Sequence, residues 1–162
     1  MTMRIGSGFD AHRFDPSRPL ILAGVEWPDE PGLAGHSDGD AVLHAIVDAL
    51  LSAAGLGDIG GQFGTSDPAY RNASSEVFVL RTRELLAEAG WSIVNISVQM
   101  IGEKPKLAQR RDEVQQHLSE LFDAPVSLAA TTSDGMGFTG RGEGVAVHAT
   151  ALLTSNDSVA SA

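Results

Sequence analysis

Cysteine is absent from the 162-residue chain. That excludes disulfides, thiolate zinc fingers, iron–sulfur clusters and a cysteine nucleophile, and leaves nitrogen and oxygen atoms to hold any metal. Long apolar runs are missing too. No stretch approaches the roughly 18 residues needed to cross a bilayer, and Met1-Thr2-Met3-Arg4-Ile5-Gly6 lacks the apolar core of a secretory signal. The expectation is a cytoplasmic protein with no membrane partner. Positive charge is scarce: 11 Lys plus Arg face 21 Asp plus Glu, a net charge of −10. Such a surface repels polyanions, so nucleic acid is not an expected partner. A small anionic ligand stays compatible, because bound cations, loop amides and a few basic residues reverse the field locally. What is present fits one compact domain: 43% hydrophobic and 20% charged residues. We expect a single domain over 1–153 and a frayed tail of small polar residues over 154–162.

Residues 3–9 and 20–25 read as the strands of an opening hairpin across a Pro-rich turn at 15–19. Leu43, Ile46, Val47, Leu50 and Leu51 recur at helical spacing, predicting a helix over 40–54 closed by Gly55. Gly, Asp, Ser and Thr dominate 58–72, which predicts an exposed loop. A second helix is expected from Ser74 or Ser75 as cap to Ala89, with Val77, Leu80 and Leu85 on its apolar face. Ile96, Val98 and Met100 alternate with polar neighbours in a strand over 93–101. Pro105 then opens a helix over 106–122, and 126–130 and 145–153 are further strands. The order implies an α+β fold, a two-layer α/β arrangement with helices on one face of a mixed four- to five-stranded sheet and a small hairpin. The other sheet face needs a subunit partner if it carries enough apolar surface.

Asp10-Ala11-His12 places two ligand types at i and i+2, on one face of a strand, and His44 lies in the most regular helix. These three suffice for a zinc site that keeps a fourth position open. Asp40, His44 and Asp48 form a stripe that reads either as a solvated face or as a ligand histidine whose second nitrogen is fixed by a carboxylate. His36-Ser37-Asp38-Gly39-Asp40 gathers a titratable ring, a hydroxyl and two carboxylates before a helix. Ser37 or Asp38 reads as a helix cap, which leaves His36 unexplained. Thr131-Thr132-Ser133-Asp134 follows a strand and suits either an ordinary turn or phosphate oxygens and a hard cation. Five glycines between 135 and 144 surround Arg141, permitting close backbone approach to an anion.

Together these segments resemble the 2-C-methyl-D-erythritol 2,4-cyclodiphosphate synthases of isoprenoid (isoprene, terpenoid) biosynthesis by the methylerythritol phosphate pathway. The match runs from residues 4–12 through His36-Ser37-Asp38-Gly39-Asp40 and Gly57-Asp58-Ile59-Gly60 to residues 137–144. The resemblance implies a lyase that closes 4-diphosphocytidyl-2-C-methyl-D-erythritol 2-phosphate into its 2,4-cyclodiphosphate and releases CMP. It implies a homotrimer around the sheets, with active sites between subunits. Asp10, His12 and His44 match the zinc ligands, and Asp10 and His12 also border the substrate. His36 and Thr132 match the residues that stabilise the phosphates in the transition state. Ser37, Asp58, Ile59 and Gly60 match contacts to the methylerythritol phosphate part, and the loop from Phe63 to Asp67 matches a neighbouring substrate segment. Gly102, Pro105, Lys106, Leu107, Ala108, Ala130, Thr131, Thr132 and Ser133 match the cytidine side. Phe138 and Arg141 match phosphate contacts, and Asp134 the ligand of a second ion, magnesium or manganese.

Three departures from the family pattern stand out. Asp134 replaces the usual Glu and stays a hard oxygen ligand with shorter reach. Gly64-Thr65 replaces Pro-Asp, removing a carboxylate, and Gly102-Glu103 replaces Ala-Gln, adding one. Two other readings use the same residues: a metal-dependent phosphohydrolase, and a non-catalytic trimer that binds isoprenoid diphosphates with Arg141 and Glu143 near its channel.

Overall fold

The computed structural model describes residues 1–64, 68–70 and 73–155. Strands β1 (Thr2–Leu22), β2 (Val25–Leu33), β3 (Ser92–Ile101), β4 (Val126–Thr131) and β5 (Gly144–Ser155) alternate with helices α1 (Ala41–Ala54), α2 (Ile59–Phe63), α3 (Glu76–Glu88), α4 (Arg111–Phe122) and α5 (Gly137–Gly140). The strands form one mixed sheet in the order β2-β1-β5-β3-β4. Only β3 and β4 run parallel, while the pairs β1–β2, β1–β5 and β3–β5 are antiparallel. This is the expected α+β architecture.

Helix α1 is the centre of the core. Asp40 caps it by accepting from Val42 N and Leu43 N, and Gly55 ends it in the left-handed region. Its apolar side chains are wholly buried, from Val42 and Leu43 to Leu50 and Leu51. The helix lies on β1 and β5 because β1 offers glycine beneath it. A β-carbon at Gly6 would sit 2.1 Å from Ala49 O, and one at Gly8 would sit 2.0 Å from Ala45 O. No side chain fits there, so backbone meets backbone. Val145, Val147, Ala149, Ala151 and Leu153 of β5, with Ile96, Val98 and Met100 of β3, complete the same covered face.

The hairpin differs from expectation in where it turns. Strand β1 continues through the Pro-rich segment as an irregularity between Asp15 and Leu20, and the chain reverses at Ala23-Gly24. Both residues have positive φ, 58° and 74°, the geometry of a two-residue hairpin turn. Proline cannot donate to a ladder, so 15–19 interrupts pairing without ending the strand. Asp40 steadies the turn by accepting from Ala23 N at 2.9 Å and Gly24 N at 2.7 Å.

Other boundaries shift for identifiable reasons. On α3 the buried residues are Phe78, Val79, Thr82 and Leu86, whereas Val77 and Leu80 are exposed. A threonine in the buried row hid the true stripe. Ser75 makes no capping bond with its side chain. Pro105 lies outside any helix, and Arg110, with φ −123°, separates a 3₁₀ turn at Leu107–Gln109 from α4. Residues 58–72, expected as loop, include α2 and a 3₁₀ turn at Pro68–Tyr70, because Phe63 is anchored in the core. The last strand runs to Ser155, so 154 and 155 are ladder and not tail. Residues 156–162, with Thr65 and Asp67, lie outside the described residues.

Candidate metal centre and adjoining cleft

Asp10 and His12 project from β1 towards α1, and the glycine contact at Gly6 and Gly8 brings His44 against them. Asp10 Oδ2 lies 2.8 Å from His12 Nε2 and 3.1 Å from His44 Nδ1. One ligand atom from each residue falls within 4.8 Å of the others. His12 Nδ1–H donates to the Ala34 carbonyl, which leaves Nε2 as its outward nitrogen. That Nε2 is buried and makes no hydrogen bond of sound geometry, so its contact with Asp10 is electrostatic. A buried, unsatisfied ring nitrogen facing a carboxylate and a second imidazole suits a divalent transition metal.

The electrostatics of the metal-free cluster agree. Burial pushes the Asp10 carboxyl up, but His12 and His44 outweigh it and hold the group well below the usual carboxylate range. Burial likewise disfavours charge on His12, yet the Asp10 carboxylate prevails and raises its pKa above 6.5.

The polar stripe on α1 is not a solvated face. Asp40 is fully buried as cap and turn support, and Asp48 accepts from Ile59 N at 2.9 Å. Neither fixes the second nitrogen of His44. Hydroxyls do so: His44 Nε2 lies 2.9 Å from Ser75 Oγ and 3.1 Å from Ser37 Oγ. The Ser37 hydroxyl therefore faces the protein interior, between His44 and Ser75. Phe78 packs edge-on against the His44 ring with centroids 6.0 Å apart, and Phe63 packs at a tilt behind Phe78 at 5.1 Å. Phe63 is thus a core residue that supports the site from beneath.

His36 is exposed on the loop beside the centre, where a β-carbon at neighbouring Gly35 would approach His12 Cε1 to 3.2 Å. Arg18 holds that loop by donating to the carbonyls of Gly35, at 2.7 Å, and Ser37. Arg18 escaped the sequence reading, since nothing in a Pro-rich turn marks it as a clamp. Asp58 caps α2 by accepting from Gly61 N at 2.7 Å, with Ile59 and Gly60 following it.

A cleft at the same end of the sheet is lined by Gly102, Pro105, Lys106, Leu107, Ala108, Arg111, Ala130, Thr131 and Thr132. All but Arg111 were expected together. Arg111 opens α4 beside Arg110 and adds a cation to the cleft, a signal legible in the doubled arginine. The register places Asp10, Val147, Met100 and Ala130 in one row across four strands. Metal centre and cleft in one chain are therefore three strand spacings apart, about 14 Å. Ser133 does not line the cleft; its hydroxyl pairs with Thr139 Oγ1 and Met136 O, both at 2.7 Å. Asp134 sits exposed at φ 55° just beyond β4. Arg141 forms an exposed ion pair with Glu143 at 2.8 Å, and Phe138 is partly exposed nearby.

Residues 3–154 match the model of the YgbB family. A 2-C-methyl-D-erythritol 2,4-cyclodiphosphate synthase from Acidothermus cellulolyticus is 54% identical over 150 residues, covering 93% of each chain. The bifunctional enzyme IspD/IspF of Clavibacter michiganensis is 62% identical over 151 residues, which is 93% of this chain but 37% of that one. A solved 2C-methyl-D-erythritol-2,4-cyclodiphosphate synthase in its CDP-bound form superposes with a TM-score of 0.85 at 40% identity, covering 93% of this chain and all of that one. The chain belongs to the YgbB family.

Proposed function

We propose that the chain is a cyclodiphosphate-forming, CMP-releasing phosphorus–oxygen lyase acting on 4-diphosphocytidyl-2-C-methyl-D-erythritol 2-phosphate in the methylerythritol phosphate pathway. The observation that carries this reading is the pairing, at one end of the sheet, of the Asp10–His12–His44 cluster with the cleft between Gly102 and Thr132. That a relative was solved in a CDP-bound form supports a cytidine nucleotide as the ligand class.

An oxygen of the substrate's 2-phosphate attacks the β-phosphorus, the bond from that phosphorus to the bridging oxygen breaks, and CMP departs with the electron pair. The attacking phosphate is already ionised, so the protein's task is positioning and charge stabilisation. Asp10, His12 and His44 would hold a zinc ion, which supplies Lewis-acid neutralisation of phosphate charge when bound. His36 and Thr132 fix the reacting phosphates from the loop above the centre and the end of β4. Lys106 and Arg111 offset negative charge at the cleft, and Arg141 and Phe138 border the phosphate side. Asp134 would supply an oxygen ligand to a second divalent ion, magnesium or manganese, which would neutralise diphosphate charge. Asp58, Ile59, Gly60 and Asp67 serve the methylerythritol part; Ser37 and Phe63 act by supporting His44.

The active unit is a homotrimer with each site between two chains. The cleft of one chain holds about 180 Å³, short of the 300 to 1,000 Å³ of a complete small-molecule site. The uncovered sheet face carries exposed Met3, Ile5 and Phe9, apolar surface that a second copy would cover.

Incubation of the protein with zinc, magnesium and the cytidyl substrate, followed by ³¹P NMR, tests the reading. Formation of a cyclic diphosphate and CMP in equal amounts is expected. Release of inorganic phosphate instead would identify a phosphohydrolase.

A further inference from the structure

Behind the metal centre runs a chain of buried hydroxyls that ends on a carboxylate. Ser75 is fully buried and Ser37 nearly so, at 4% exposure. Ser75 Oγ lies 2.9 Å from His44 Nε2 and also donates to Asp38 Oδ1. The second carboxylate oxygen, Asp38 Oδ2, accepts from Ser75 N at 2.8 Å, so Asp38 grips Ser75 by hydroxyl and backbone together. Asp38 is itself placed by its bond to Asp40 N at 3.0 Å and by its own N–H donating to Ala73 O. Ser37 Oγ stands 3.3 Å from Ser75 Oγ.

The donors run in one direction through this set. A ligand role at His44 Nδ1 places the ring proton on Nε2, which donates to Ser75 Oγ. Ser75 then donates its only proton to Asp38, and Ser37 can donate to the remaining lone pair of Ser75. Each hydroxyl and carboxylate oxygen of this set then has a partner. We propose that Ser75 and Asp38 are positioning residues for the metal centre, a hydroxyl-to-carboxylate relay that fixes the His44 ring and tautomer and strengthens Nδ1 as a ligand. A carboxylate reached through a hydroxyl does here what a carboxylate in direct contact with a ligand histidine does elsewhere. The assignment rests on reading Asp10, His12 and His44 as the metal site. It also explains the inward Ser37 hydroxyl and why Ser75 is buried at the start of α3 without capping it.

Zinc affinity is measured by chelator competition on the full chain for wild type, Ser75→Ala, Asp38→Asn and the double variant, at a temperature where circular dichroism shows each folded. Each single variant is expected to bind zinc about 10- to 100-fold more weakly. The double variant is expected to be no weaker than the worse single, as for two members of one relay. Wild-type affinity in Asp38→Asn, which keeps size and shape, overturns the proposal even if Ser75→Ala fails to fold. Losses that multiply in the double variant also overturn it. Failure of the wild type to bind zinc would instead sink the metal-site reading itself.

Discussion

His12 is the residue on which metal uptake turns. Its Nδ1 is committed to Ala34 O, and its Nε2 faces Asp10, whose carboxylate overcomes the burial that disfavours charge and raises the pKa of His12 above its ordinary 6.5. In the metal-free protein a proton therefore competes for the ligand nitrogen beyond neutral histidine's usual range. Metal must displace it. Zinc affinity should rise by up to tenfold per pH unit below the raised pKa and level off above it. Calorimetry in buffers of different ionisation enthalpy checks this, and proton release that fails to decline with rising pH would contradict the assignment. His12→Asn, which leaves Asp10 opposite a single histidine, should weaken zinc binding by at least tenfold in the same measurement. His36 gives a contrasting expectation. It is exposed and stands outside the ligand cluster, so His36→Ala should leave zinc affinity within about twofold of wild type while lowering turnover by roughly 10²- to 10³-fold, the scale of a lost transition-state contact.

Among the elements, α1 and β1 make the site by touching. Their backbones meet at Gly6 and Gly8, and that contact sets how close His44 comes to Asp10 and His12. Gly8→Ala would thrust a methyl to 2.0 Å from Ala45 O. Overpacking of this kind costs about 1–3 kcal/mol or more, and it moves the helix that carries His44. Thermal melting should show a loss of that order, with a parallel fall in zinc affinity; a variant that melts lower yet binds zinc normally would separate packing from site. Asp40 links the same helix to the β1–β2 turn through four backbone amides. Asp40→Ala removes a cap and strands buried donors, for about 2–4 kcal/mol by denaturant titration. The helix itself was legible from periodicity and its Gly55 stop. The turn at Ala23-Gly24 was not, because Ala at positive φ carries no sequence signal and its support comes from Asp40, 17 residues on.

For the whole molecule, the sheet has one covered and one open face. Met3, Ile5 and Phe9 are exposed on the open side of β1, across from Thr154, Leu152 and His148 of β5. Phe9→Asp places a charge in that surface and should convert the proposed trimer to single chains in analytical ultracentrifugation. Turnover should fall with assembly while zinc affinity persists, because Asp10, His12 and His44, the candidate ligands, all belong to one chain. Retention of both assembly and turnover would argue against a subunit interface on this face.

The sequence by itself determined the order of the five strands and the three long helices, the α+β class, and the polar ligands available without cysteine. These depend on composition, period and spacing, which are local and survive in one dimension. Tertiary structure decided the rest. It buried Asp40, settled which groups meet His44 and Asp48, turned Ser37 inward, sank Phe63 behind the Phe78 ring that packs on His44, and added Arg18 and Arg111. Each of those depends on what lies opposite a side chain once α1 rests on the glycines of β1, and the partners come from strands and helices tens of residues away.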